Sequence, residues 1–202
     1  MIFIVGAHAT GKTYLADAIS KFNFARIDLG PVLRIIYSKS GSQESFSEWI
    51  QNGEKQFGPH FSNDLLVNEI KLTLEKGNAQ ATQPLDYIII GNRSILGLKY
   101  ISEHIERTRN RDNTIIFLDA PFDILYERYK KREGGNITIK QFKEILDRDR
   151  KMGLEDLRSF ANFVIINDST REKLVDQTSA ILRDELKYQL RENALEVKIK
   201  IS

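Results

Sequence analysis

Ile2-Phe3-Ile4-Val5-Gly6-Ala7-His8-Ala9-Thr10-Gly11-Lys12-Thr13-Tyr14-Leu15 opens the chain with an apolar run, a glycine-bounded turn and the start of a helical pattern. The run Ile2 to Val5 has strand length, and Tyr14, Leu15, Ala18 and Ile19 recur at helical spacing, so the stretch reads as strand, loop and helix. Residues 6–13 satisfy G-x-x-x-x-G-K-[ST] at that junction, where the pattern has a mechanism. Successive main-chain N–H groups aimed inward, with the positive end of the helix behind them, neutralise a polyphosphate without bulky side chains. Gly6, Ala7, His8, Ala9, Thr10, Gly11, Lys12, Thr13 and Tyr14 are the expected phosphate-binding residues. Lys12 is expected to reach the β- and γ-phosphates as a point charge, and the Thr13 hydroxyl to serve as a Mg²⁺ ligand. The His8 side chain is expected to point to solvent, with no catalytic role.

Working outward, apolar runs of strand length recur at Tyr87 to Ile90, Thr114 to Leu118 and Phe163 to Ile166, each followed by a helical pattern. Phe24 to Asp28 is a weaker fifth. Strands alternating with helices predict an α/β three-layer sandwich around a five-stranded parallel sheet, with function at the strands' carboxyl ends. Ser45 to Trp49 and Asn63 to Leu74 read as helical and Gly77 to Pro84 as a polar loop, so a segment over about 29–80 forms one wall of a cleft. Tyr126 to Arg150, dense in charge and broken by Gly134-Gly135-Asn136, reads as a short lid between two helices. Leu195, Val197, Ile199 and Ile201 alternate with Glu196, Lys198 and Lys200, which predicts an added C-terminal edge strand.

The chain's 202 residues, 41% of them hydrophobic and 29% charged, suit one domain over 1–202. No run has the length of a membrane span and the opening run lacks the basic flank of a leader, so a cytoplasmic protein is expected. With no cysteine and 3 histidines, a thiolate zinc site is excluded and any metal is expected to be oxygen-liganded. A net charge of +2 favours a small-molecule partner over nucleic acid.

The loop together with several shorter motifs resembles the nucleoside-monophosphate-kinase-like branch of P-loop proteins, and is similar to adenylate kinases and dephospho-coenzyme A kinases over nearly the whole chain. Leu29-Gly30-Pro31-Val32-Leu33-Arg34 resembles the segment in which an arginine grips the acceptor phosphate, which implies that role for Arg34, a guanidinium fork suited to phosphate; a solvated helix face is the alternative. Asp28 resembles the aspartate that accepts the acceptor's proton in dephospho-coenzyme A kinases, and could otherwise cap the next helix. Ile88-Ile89-Ile90-Gly91-Asn92-Arg93-Ser94 resembles the third-strand motif, which implies acceptor binding by Arg93; a structural ion pair at a strand end is the alternative. Asn92 departs from it, standing where relatives carry an acid, so either Asp28 or Asp119 holds the metal's water shell instead, or turnover is weak.

Asp119 to Arg132 resembles the strand-to-lid passage of these kinases, with Arg128 and Arg132 four apart on one face. The resemblance implies that both stabilise the transferred phosphoryl group while the lid excludes water. Arg148 or Arg150 could join them. Val164 to Thr170 resembles the strand and turn bordering the adenine; it needs no side-chain duty, and Asp168 or Ser169 could cap the last helix. The implied activity is ATP- and Mg²⁺-dependent transfer of a γ-phosphate to a nucleotide, nucleoside or coenzyme precursor. An NTP-hydrolysing switch and a nucleic-acid 5′-end kinase are the alternatives. Phe46, Trp49, Phe57 and Phe61 could stack on a base or fill the core.

Overall fold

In the chain order of elements, β1 (Ile2–Gly6), α1 (Lys12–Ala18), β2 (Phe24–Asp28), α2 (Leu29–Lys39), α3 (Phe46–Phe57) and α4 (Phe61–Asn78) lead to β3 (Asp86–Ile90) and α5 (Ile95–His104). Then follow β4 (Thr114–Asp119), α6 (Phe122–Arg132), α7 (Ile139–Lys151), α8 (Leu154–Ser159), β5 (Phe163–Ile166) and α9 (Arg171–Ala180), which runs into a π-helical turn, Ile181–Glu185. The computed structural model describes residues 1–19, 22, 24–78, 86–105 and 112–188. Within them all five expected strands form one parallel sheet in the order β2-β3-β1-β4-β5. The expected edge strand over 195–201 lies outside the described residues.

Period-two alternation divides the strand side chains between two cores. Phe3, Val5, Ile27, Ile89 and Phe117 face α2, α4, α5 and α8, burying Val32, Ile70, Ile101 and Leu157. Ile2, Ile4, Ile88, Ile90 and Leu118 face α1 and α9, burying Leu15, Ala16 and Leu174. These are the three layers. β1 is central, with Ile4 opposite both Ile90 and Ile116, so the chain departs to opposite sides of β1 when it makes β3 and β4. In sheets of this topology, ligand sites lie at that divergence, beyond the strands' carboxyl ends.

Two expectations about the cleft wall are corrected in extent. Ser45 is not helical but caps α3, in a capping box with Glu48, and α4 continues to Asn78 into the stretch read as loop. Residues 79–85 of that stretch lie outside the described residues. Phe46, Trp49 and Phe61 join Tyr37 in a chain of ring contacts 5.3–6.2 Å apart. They lie outside the buried clusters under the sheet and pack α2, α3 and α4 on one another; Phe57 stacks on Phe61 at 5.6 Å and is 65% exposed. Gly53 admits the Phe61 ring, since a Cβ there would lie 2.1 Å from it.

The segment expected to form a lid is a helix pair, α6 and α7, joined through Gly134 and Gly135 at φ 72° and 89°. A capping box of Thr138 and Gln141 starts α7. Ala120, Leu125, Phe142 and Leu146 form a third buried cluster, and Ala7 and Ala9 of the glycine-rich loop pack against it. The helix pair therefore sits down on the loop.

Candidate active site

Residues 6–13 leave β1 and turn back into α1 as a tight cradle. Gly6, Ala9 and Gly11 all have positive φ, 145°, 63° and 98°, a backbone course that turns main-chain groups toward the loop's interior. Space demands glycine as well: a Cβ on Gly6 would lie 2.2 Å from the Leu118 carbonyl oxygen, and one on Gly11 2.8 Å from Asn167 Nδ2. The Thr10 side chain is buried, and its hydroxyl donates to the Ala7 carbonyl at 2.9 Å.

Lys12 begins α1 and its Nζ curls over the loop, donating to the carbonyls of Gly6 at 2.8 Å and Ala7 at 2.7 Å. Burial, and then the charge of Arg93, push its ammonium down to about 8, against the attraction of Asp149 and Asp28. Arg132 adds a further repulsion. Lys12, Arg93, Arg132, Asp28 and Asp149 therefore share one electrostatic neighbourhood, drawn from five different elements or turns. Thr13, one position on, is exposed.

Asp28 ends β2 at the N-cap position of α2, and the Gly30 amide at the head of that helix faces its carboxyl, though without a hydrogen bond of strict capping geometry. Burial raises its carboxyl above the ordinary value, opposed by Arg26, by the Gly30 amide and more weakly by Lys12. Arg26, unremarked in the sequence, holds both Asp17 of α1 and, at 3.5 Å, Asp28. Asp119, the other candidate for the metal's water shell, is drawn aside into an ion pair with Arg158 at 3.2 Å. Asn92 is buried and turns the chain, its Oδ1 accepting from the Ser94 amide at 2.9 Å.

The expected arginines divide. Arg34 on α2 lies over the Phe46 ring, 4.7 Å from its centroid, and so belongs to the cleft wall. Arg93 reaches the loop. Arg132 stacks on Tyr129 at 4.5 Å and pairs with Glu133 at 2.9 Å. Arg128 does not converge with it: Nη1 donates to the Asn167 carbonyl at 3.0 Å. Burial and the nearby Arg171 hold the Arg128 guanidinium below its ordinary value. Arg150 pairs on the surface with Asp147 at 3.0 Å and Glu155 at 3.6 Å. Tyr14 turns its ring to Arg171, 4.9 Å away.

Three side-chain roles differ from expectation. His8 does not point to solvent: Nδ1 lies 2.7 Å from Asp149 Oδ2 and Nε2 lies 3.0 Å from Arg93 Nη2. Asn167, given no side-chain duty, is buried and donates from Nδ2 to the Thr10 carbonyl at 2.8 Å, tying the β5 turn to the loop. Thr170, rather than Asp168 or Ser169, caps α9 by accepting from the Lys173 amide at 3.3 Å.

Asp149 is the residue that sequence reasoning missed. It is 1% exposed, and its carboxyl would be raised by burial; the hydrogen bond from His8 and the charge of Arg93 outweigh that and hold it below its ordinary value. The signal was there in its spacing, seven after Phe142 and three after Leu146, an acid on the apolar stripe of α7.

No protein-family model matches the chain. It is 24% identical over 189 residues to a UPF0200 protein of Pyrococcus abyssi, covering 91% of this chain and 95% of that one. It is equally 24% identical, over 188 residues, to a UPF0200 protein of Sulfurisphaera tokodaii, covering 91% and 96%. Among solved structures it superposes on shikimate kinase from Bacteroides thetaiotaomicron with a TM-score of 0.56 at 14% identity, over 92% of this chain and 97% of that one. Shikimate kinase from Acinetobacter baumannii in complex with shikimate gives 0.53 at 17%, over 94% of each chain. A sugar kinase from Janibacter sp. gives 0.53 at 16%, over 90% and 92%. The fold is that of the P-loop kinases.

Proposed function

We propose that the chain is an ATP- and Mg²⁺-dependent phosphotransferase that moves a γ-phosphate to a small acceptor, a nucleotide, nucleoside or coenzyme precursor. The observation that carries this reading is the cradle itself, with positive φ at Gly6, Ala9 and Gly11, a lysine curled over it and a charged helix pair resting on it. That backbone suits a polyphosphate because it offers main-chain donors where side chains cannot fit. Mg²⁺ bound to the nucleotide supplies neutralisation of the β- and γ-oxygens. Thr13 would hold the metal, and Asp28 would orient its water shell or accept the acceptor's proton, a role its raised carboxyl suits. Lys12 would neutralise the phosphate, Arg93 and Arg34 would anchor the acceptor, and Arg132 would close over the phosphoryl group. Arg128 would support the lid through the β5 turn.

The direct test is nucleoside-diphosphate release, with ATP and Mg²⁺, across nucleoside, nucleotide and coenzyme acceptors. Release dependent on one acceptor class supports the proposal; none across the panel counts against it. Two further outcomes are expected. A protonated lysine is the form that attracts phosphate, and the Lys12 ammonium titrates at about 8, so ATP affinity should be full below that pH and fall as pH rises through it. Calorimetric titrations at roughly pH 7 and pH 9 measure this, and Lys12→Arg, which stays protonated, should flatten the dependence. Arg34→Ala should raise the acceptor KM by about tenfold while leaving ATP binding unchanged, because one charge-assisted contact to phosphate is removed.

A further inference from the structure

The lid, the loop and the β3–α5 turn meet at a single carboxylate. Asp149 Oδ2 accepts from the His8 amide at 3.2 Å and lies 2.7 Å from His8 Nδ1. Its Oδ1 pairs with Arg93 Nη1 at 2.7 Å, and Arg93 Nη2 closes the ring by reaching His8 Nε2 at 3.0 Å. The partners dictate the tautomer. Arginine can only donate, so Nε2 must accept, and the imidazole proton must sit on Nδ1, facing the carboxylate. The His8 ring is thereby spliced between the carboxylate and the guanidinium, and its edge also meets Tyr129 of α6 at 5.9 Å.

The two ends of this ring differ in burial. Asp149 shares the α7 stripe with Phe142 and Leu146, so it travels with the lid's own core. Arg93 leaves a short turn, its side chain 35% exposed, with no other anion recorded beside it among the described residues. Arg93 also lies close enough to repel Lys12, and the Asp149 carboxylate attracts both cations.

We propose that Asp149 is a positioning residue that, directly and through His8, sets the Arg93 guanidinium beside the phosphate loop only while α7 rests on it, so that lid closure and assembly of the charged site are one event. This deepens the phosphotransfer reading and rests on it. The lid helix contributes an anion that organises cations, alongside the cations the lid was expected to bring.

Asp149→Asn tests it with little change of shape. The carboxamide keeps an oxygen for the His8 amide but turns an N–H toward Arg93, setting donor against donor. Slow ATP turnover with water as acceptor should lose about 10- to 100-fold in kcat with the KM for ATP within about threefold. The α7 amides should exchange about tenfold faster with the melting temperature nearly unchanged. In ¹⁵N spectra of the wild type, His8 should carry its proton on Nδ1, and that signature should be lost in Asp149→Asn. Arg93→Ala combined with Asp149→Asn should be no worse than the more damaging single change.

Additive losses in that pair, or a lowered melting temperature with kcat intact, would reduce Asp149 to a strut and overturn the proposal. Tighter ATP binding by Asp149→Asn would also overturn it, by making the carboxylate a competitor of the phosphate. If Asp149→Asn does not fold, His8→Ala at the half-buried loop position reads the same coupling. A wild type without ATP turnover would sink the phosphotransfer reading, whereas this proposal is still decided by α7 exchange and the imidazole signal.

Discussion

Lys12→Ala is expected to lower phosphoryl transfer by at least about 100-fold while the fold melts within a few degrees of the wild type. The Lys12 ammonium is the group that bridges the Gly6 and Ala7 carbonyls across the mouth of the cradle, and Arg93 and Arg132 are held by partners of their own. Among the described residues, no second cation is thereby left to take its place over the loop. Stability should change little because two effects oppose. The loop carbonyls lose a donor, at about 1 kcal/mol each, but removing an ammonium whose burial is unfavourable returns part of that. A transfer assay beside a thermal melt separates chemistry from folding, and undiminished transfer by this variant would remove the loop from the reaction.

Gly6→Ala should be the most damaging single-methyl change in the site. Its Cβ would meet the Leu118 carbonyl oxygen at 2.2 Å, a backbone atom of the strand paired with it, and φ of 145° is foreign to alanine. The clash cannot be relieved by a rotamer, so either β1 separates from β4 or the loop is pushed out of shape; a loss of about 2–5 kcal/mol and of ATP binding is expected. Gly134→Ala is the matched control. It also has positive φ, 72°, but a Cβ there meets nothing within 4 Å, so it should cost only the backbone term of about 1–2 kcal/mol and spare ATP binding. Equal losses for the two variants in chemical denaturation would show that strain, rather than contact with Leu118, makes glycine necessary at position 6.

The parallel sheet was legible because β1, β3 and β4 are buried on both faces and so read as unbroken apolar runs, and because glycine and lysine fall at fixed steps after the first. Even the weak run Phe24 to Asp28 has its place, as the edge strand β2. Helix limits were less legible where capping competes with periodicity: Ser45 has no apolar signature, yet it ends one pattern and starts another by accepting the Glu48 amide. At the site, sequence spacing could say that Arg128 and Arg132 leave one helix face but could not say that Asn167, 39 residues on, would draw Arg128 toward the β5 turn. His8 misled for the same reason. Polar side chains in a glycine-rich loop are ordinarily solvated, and only the long-range return of α7, 141 residues away, gives this one a partner.

β1 has strands on both sides and every residue from Ile2 to Gly6 is fully buried, so the cradle is rooted in the part of the molecule that comes apart last. Partial unfolding that peels away the charged helix pair, or the aromatic helices of the opposite wall, would leave the polyphosphate grip standing. On the phosphotransfer proposal, a molecule in such a half-open condition would still hold a nucleotide, and capture would precede enclosure rather than depend on it.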